Sequence, residues 1–227
     1  GRFRMDFGAE YICKNELNPT YFVPAFETVN GTPEYVMRCD FNKFTTNEGR
    51  VIAYMQNPYF NRTAEHFCSH MHAPNNEEER FPAVTIRENV AYIGWDIFSA
   101  YGRLGHLCFK EIFTDTVNRL MGDSLSVRTE LPDRGVCTLT RQEKEKRSIL
   151  HLLFAHTTVR GRSTEVIEDT VPLYNVRCEV KYENKPSRVY LAPEKEDMIR
   201  KAEEMKGGIL IPDSAKEKPQ EYSWGFM

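Results

Sequence analysis

Apolar residues recur in two different rhythms along the chain, and the rhythm changes near residue 124. In the first part, Tyr35-Val36-Met37-Arg38-Cys39 and Gly49 to Gln56 set β-branched and aromatic residues between turn formers, which predicts short strands. Val84-Thr85-Ile86 and Val90-Ala91-Tyr92-Ile93-Gly94 repeat that pattern on either side of the polar turn Arg87-Glu88-Asn89. From Gly105 to Met121 the spacing becomes three and four. There Leu107, Cys108, Ile112, Phe113, Thr116, Val117 and Leu120 fall on one face of a helix, which Gly122 stops.

Beyond residue 124 the pattern is all strand. Val136 to Thr140, Ser148 to Phe154, Tyr174 to Lys181 and Arg188 to Leu191 are strand-like, with polar turns at 141–146, 160–163 and 183–187. Alternation is cleanest in the third of these, where Val176, Cys178 and Val180 face one way and Arg177, Glu179 and Lys181 the other. The expected architecture is therefore a mixed α/β unit over 1–124, then a small antiparallel β-sandwich over 125–227 with a charged tail. In that tail, Glu194 to Lys206 reads as a polar helix and Ile209-Leu210-Ile211 as one further strand.

Composition narrows the classes of function. The 227 residues are 41% hydrophobic and 28% charged, ordinary for a globular chain and wrong for disorder or a coiled coil. A net charge of −3 supplies no field for phosphate, so nucleic acid is not an expected partner. No apolar run approaches the roughly 18 residues of a membrane span, and no membrane partner is expected. The first apolar segment starts almost at Gly1, so the chain reads as a fragment or a processed product. Six widely spaced cysteines lack both zinc spacing and disulfide density, which reads as free thiols in a reducing, cytoplasmic setting. Asn61-Arg62-Thr63 is formally a glycosylation acceptor, a pattern of little weight by itself.

The segment richest in chemistry runs from Asn57 to Pro74 and holds three of the six histidines. Three readings compete for it. On a helix, His66 and His70 would share a face at metal-binding distance, with His72 or Cys68 as a third ligand. No glutamate lies between that pair as in zinc peptidases, and Pro74 ends any helix early, so no metal or other cofactor is assigned. A loop whose His and Asn side chains satisfy backbone groups, with Tyr59, Phe60 and Phe67 packed inward, is the second reading. The third is a ligand-facing loop in which Tyr59, Asn61, Arg62, His66, His70 and His72 address a hydroxyl-rich molecule such as a sugar.

Other arrangements carry less. Glu165, Glu168 and Asp169 lie on a turn-like segment with no apolar pocket to raise a pKa, so no catalytic carboxylate pair is assigned. The chain has no Gly-x-Ser-x-Gly elbow and no phosphate-cradling glycine loop. Cys68 has neighbours that adjacent spacing seldom turns toward it, and inert burial is the default for such a thiol.

Two stretches resemble a known family. Tyr59-Phe60-Asn61-Arg62-Thr63 through His66-Phe67-Cys68-Ser69-His70 is one. The other is Arg147-Ser148-Ile149-Leu150-His151-Leu152-Leu153, followed by Ile167-Glu168-Asp169-Thr170-Val171-Pro172-Leu173-Tyr174 and Tyr190-Leu191-Ala192-Pro193-Glu194. Their order resembles the C-terminal part of bacterial glycoside hydrolases similar to family 42 β-galactosidases and to related α-L-fucosidases, over about residues 35–195. The resemblance implies that 1–124 is the later part of a flavodoxin-like trimerisation domain and 125–227 the closing sandwich. It also implies that the catalytic barrel, with its acid/base and nucleophile, lies outside these residues.

Three hypotheses follow from the sequence. In the first, the chain is a non-catalytic region of a carbohydrate-active hydrolase, partnered by the parent's barrel, forming homo-oligomer contacts and lending a loop to the rim of a sugar pocket. In the second, the sandwich is an independent carbohydrate-binding module with exposed aromatics, for which Trp95 reads as core and Trp224 as a candidate. A small metal enzyme using His66, His70 and His72 is the third. A truncated sheet would also leave an open edge, from which self-association of the isolated chain is expected.

Overall fold

The computed structural model describes residues 6–29, 31, 34–183 and 185–192, and the backbone of 208–210. They form two compact units, Gly1–Gly122 and Asp123–Met227. The first combines helix and sheet; the second is antiparallel β throughout its described strands. The predicted helix from 194 to 206, Ile211 and Trp224 lie outside the described residues.

Seven strands and two helices build the first unit: β1 Ala9–Lys14, β2 Thr20–Pro24, β3 Tyr35–Met37, β4 Asn42–Thr46, β5 Arg50–Gln56, β6 Phe81–Arg87, β7 Val90–Ile93, α1 Ile97–Leu104 and α2 Leu107–Met121. The main sheet has the order β3-β2-β5-β6-β7, with β1 and β4 paired separately. A flavodoxin-like sheet, which the resemblance implies, is parallel; here each registered pair is antiparallel. The β6–β7 connection shows why, since Glu88 and Asn89 alone separate the two strands, and so short a turn can join only antiparallel neighbours.

Strands β3, β5, β6 and β7 lie where the apolar runs predict them, whereas β1, β2, β4 and α1 carry no pattern that singled them out. Both helices and the sheet close on Phe22, Met37, Phe41, Phe44, Met55, Trp95 and Phe109, each at most 4% exposed. On α2 the buried face is Cys108, Phe109, Ile112 and Thr116. Phe109 replaces Phe113 of the predicted stripe, because Phe113 turns toward Phe98 of α1, edge to face at 5.2 Å, and is 43% exposed. The stripe is wider than the surface available to cover it.

In the second unit the strands are β8 Val127–Thr129, β9 Val136–Gln142, β10 Arg147–Leu153, β11 Thr158–Arg160, β12 Thr164–Val166, β13 Arg177–Val180 and β14 Gly208–Leu210. They make the hairpins β9–β10 and β11–β12 and a three-stranded sheet β14-β13-β8, small antiparallel sheets consistent with a sandwich. The alternation of β13 is as read, with Cys178 and Val180 buried. Arg188 to Leu191, by contrast, forms no named strand, and the predicted strand at 174–181 is trimmed to the four residues that find partners in β8 and β14.

Among the described residues, no helix is long and apolar enough to cross a membrane. All six cysteines are unbridged.

Candidate functional site

Strand β5 ends at Gln56, and the next 24 residues, up to β6, form an irregular loop pinned at its base. The pins are short polar side chains whose donors and acceptors match backbone groups brought close by the sheet. Asn57, buried to 3% exposure, accepts from Asn15 Nδ2 at 2.9 Å through its Oδ1. Gln56 accepts from Asn75 Nδ2 at 2.8 Å, and the backbone crosses the base of the loop through Tyr59 N–H to Pro74 O (3.1 Å) and Asn76 N–H to Asn57 O (2.7 Å). Buried amides without such partners would each cost about 1–3 kcal/mol. The residues between these pins are held by their stem instead of by a helix.

Each sequence-selected residue has a distinct place in that loop. Tyr59 is 59% exposed, with its side chain clear of the core. Asn61 is a clamp: its Oδ1 accepts from Asn18 N–H at 2.8 Å and its Nδ2 donates to Glu16 O at 2.9 Å, tying the loop to the segment between β1 and β2. Arg62 and His70 are exposed, and neither side chain has a polar partner among the described residues. His66 closes a tight turn with Thr63, whose N–H donates to His66 O (2.8 Å) while its Oγ1 accepts from His66 N–H (3.0 Å). The His66 ring lies 6.0 Å from that of Phe60.

Because the segment is irregular, His66 and His70 share no helix face, and among the described residues no three His, Cys, Asp or Glu side chains converge on a point that could hold a metal. Phe67 points outward at 74% exposure, against the inward packing expected of it. Only Asn61 fully serves the backbone-satisfying role of the bland reading. The outward set is Tyr59, Arg62, His66 and His70.

His72 is different, because its ring is oriented by a buried phenol. Tyr21, on β2 and 6% exposed, has one hydroxyl hydrogen, and Ala73 O, which can only accept, lies 2.6 Å away. That hydrogen goes to the carbonyl. The contact of 2.8 Å between the same hydroxyl and His72 Nδ1 is then an Nδ1–H donating to it. In the neutral imidazole, Nε2 keeps its lone pair and can accept from a hydroxyl. Burial holds the Tyr21 phenol above its ordinary pKa, and the nearby Cys68 sulfur adds to the effect. Arg38, just after β3, reaches the far side of the loop and its guanidinium contacts Met71 Sδ at 3.9 Å. Neither Tyr21 nor Arg38 was singled out by sequence, since β2 is short and both partnerships span more than thirty positions.

Two of the three carboxylates considered in the second unit, Glu165 and Glu168, are held by arginines. Arg134 pairs with Glu165 at 2.8 Å and holds its carboxyl below the usual range, while Arg160 grips Glu168 through both oxygens. A lowered pKa keeps Glu165 ionised, the opposite of what a general acid needs.

No protein-family model matches the chain, and neither does any curated protein. Among solved structures it is similar to α-L-fucosidase isoenzyme 2 from Paenibacillus thiaminolyticus, at 34% identity and a TM-score of 0.85 over 93% of this chain. The chain is similar in sequence and fold to part of an α-L-fucosidase. It spans 32% of that enzyme's length, so the likeness concerns one third of a glycoside hydrolase.

Proposed function

We propose that the chain is a non-catalytic portion of an α-L-fucosidase-like glycoside hydrolase, and that its 57–76 loop forms part of the rim of a sugar pocket whose catalytic carboxylates are supplied elsewhere. The observation that carries this reading is the similarity over nearly all of this chain to one third of an α-L-fucosidase. The loop supports it chemically. A stiffly pinned stem presents Arg62, His66 and His70 outward, while Tyr59 offers a flat apolar face. Hydroxyl-rich ligands are recognised by that combination of fixed donors and acceptors beside an aromatic ring.

Partners follow from the same reading: a barrel of the parent protein, and further copies of it, meet this portion. Full-length protein bearing this chain is the material for the test. Arg62→Ala and His70→Ala each raise the KM or lower the kcat for an aryl α-L-fucoside several-fold, with the Tm unchanged, since both side chains are free of the fold. Kinetics identical to the parent in both variants would remove the loop from the pocket. A full-length protein without fucosidase activity would remove the functional reading itself.

A further inference from the structure

Tyr21 does more than fill space beside the 57–76 loop. It lies on β2, between β3 and β5 in the main sheet, and its hydroxyl meets two groups of the loop at once, Ala73 O at 2.6 Å and His72 Nδ1 at 2.8 Å. The two rings also touch edge to face, with centroids 5.8 Å apart and planes at 70°. Turning the imidazole over would set a carbon in place of Nδ1 against the phenol oxygen, so the hydrogen bond selects one orientation of the ring.

The fold needs only one of these two bonds. Ala73 is buried, and the phenol hydrogen satisfies its carbonyl. His72 is half-buried, and its bond to the phenol relieves no other sealed group. What that bond decides is the other edge of the ring. With its hydrogen on Nδ1, the neutral imidazole can only accept at Nε2, and the two nitrogens lie on different edges, so Nε2 faces away from the phenol. The Tyr21 contact is the ring's one hydrogen bond among the described residues. No three ligating groups converge there among those residues, so the acceptor answers an O–H or N–H donor in place of a metal.

A fixed acceptor completes the chemistry of the loop. The guanidinium of Arg62 can only donate, whereas each hydroxyl of a sugar both donates and accepts. Recognition of such a group is sharpest when both of its roles are met by side chains whose orientation is set before the ligand arrives.

We propose that Tyr21 is a positioning residue for the rim: by holding His72 in one orientation and as the Nδ1–H tautomer, it fixes Nε2 as the acceptor for a hydroxyl of the sugar. This inference rests on the sugar-rim reading above.

Two measurements test it. In the chain carrying isotope-labelled histidine, the imidazole nitrogen resonances of His72, assigned by their loss in His72→Ala, are expected to show the Nδ1–H tautomer at a pH where the ring is neutral. In Tyr21→Phe they are expected to move toward the Nε2–H form that predominates in free histidine. A parent ring already in the Nε2–H form would overturn the proposal. In full-length protein bearing this chain, Tyr21→Phe and His72→Ala are each expected to raise the KM for an aryl α-L-fucoside several-fold with kcat nearly unchanged. The double variant is expected to match His72→Ala alone, because Tyr21 acts through His72. Tyr21→Phe also strips Ala73 O of its donor and lowers the Tm, but a purely structural tyrosine would add its KM penalty to that of His72→Ala. Additive penalties would therefore overturn the positioning role. So would an unchanged KM in His72→Ala while Arg62→Ala and His70→Ala impair turnover, an outcome that leaves the rim reading standing. Unchanged kinetics in all of these variants would remove the rim reading and this inference with it.

Discussion

Trp95 and Thr20 show how a single polar pair can fix the centre of the first unit. The indole Nε1–H donates to Thr20 Oγ1 at 2.9 Å, and both residues are nearly inaccessible, at 4% and 1% exposure. Valine has almost the shape of threonine, so Thr20→Val keeps the packing but leaves the indole N–H without an acceptor. The expected loss is about 1–3 kcal/mol, read as a lower urea midpoint at unchanged slope; an unchanged midpoint would mean that water or another group takes the proton. At this scale the sequence was partly legible. A tryptophan just after an apolar strand reads as core, but nothing local to Trp95 points to a residue 75 positions earlier. The rim candidates divide in the same way. Arg62, His66 and His70 stand outward on the loop, whereas Asn61 is spent on the backbone of 16–18 and His72 on the phenol of Tyr21.

Elements were recognisable where their own pattern was long enough. Helix α2 repeats its apolar spacing over four turns and ends at Gly122, whose φ of 50° and ψ of −124° suit a residue without a side chain. Helix α1 has eight residues, carries Gly102 and exposes Phe98, too little for periodicity to single out. Gly94 marks the junction after β7: its N–H donates to Ala83 O and its carbonyl accepts from Asn42 N–H, 2.8 and 2.9 Å. An added Cβ there would sit 2.5 Å from the buried Phe41 ring and 3.0 Å from Asn42 O. Gly94→Ala therefore costs on the order of 1–3 kcal/mol by overpacking, while Gly102→Ala, open to solvent inside a helix, raises stability by about 0.5–1 kcal/mol. Thermal melts of the two variants should move in opposite directions; movement in the same direction would contradict the packing assigned to the β7 end.

For the molecule as a whole, the buried thiols set a limit at high pH. Burial, with help from Asp96, pushes Cys39 up to about 12, and burial with Glu111 pushes Cys108 to about 11, from an ordinary 9.0. The unfolded chain releases these protons near pH 9 and the folded chain does not, so their stabilisation is complete below pH 9. It is lost as pH rises toward 11 to 12. Tyr21 and Tyr92, also raised by burial, act in the same direction. Urea midpoints followed from pH 7.5 to 10.5 should fall less steeply in the Cys39→Ala/Cys108→Ala variant than in the parent; parallel slopes would argue that neither thiol is sealed from solvent. What the sequence determined by itself is whatever rests on neighbours in the chain: the strands with clear alternation, the α2 helix, the mixed unit followed by an all-β unit, and a polar loop rich in histidine after β5. Tertiary structure alone decided strand direction, the rotation of α2 that buries Phe109 in place of Phe113, and the tautomer of His72, set by a tyrosine 51 residues away. Periodicity encodes which face of an element is apolar, but not which surface will cover it, and a hydrogen bond between distant residues exists only once the sheet has brought them together.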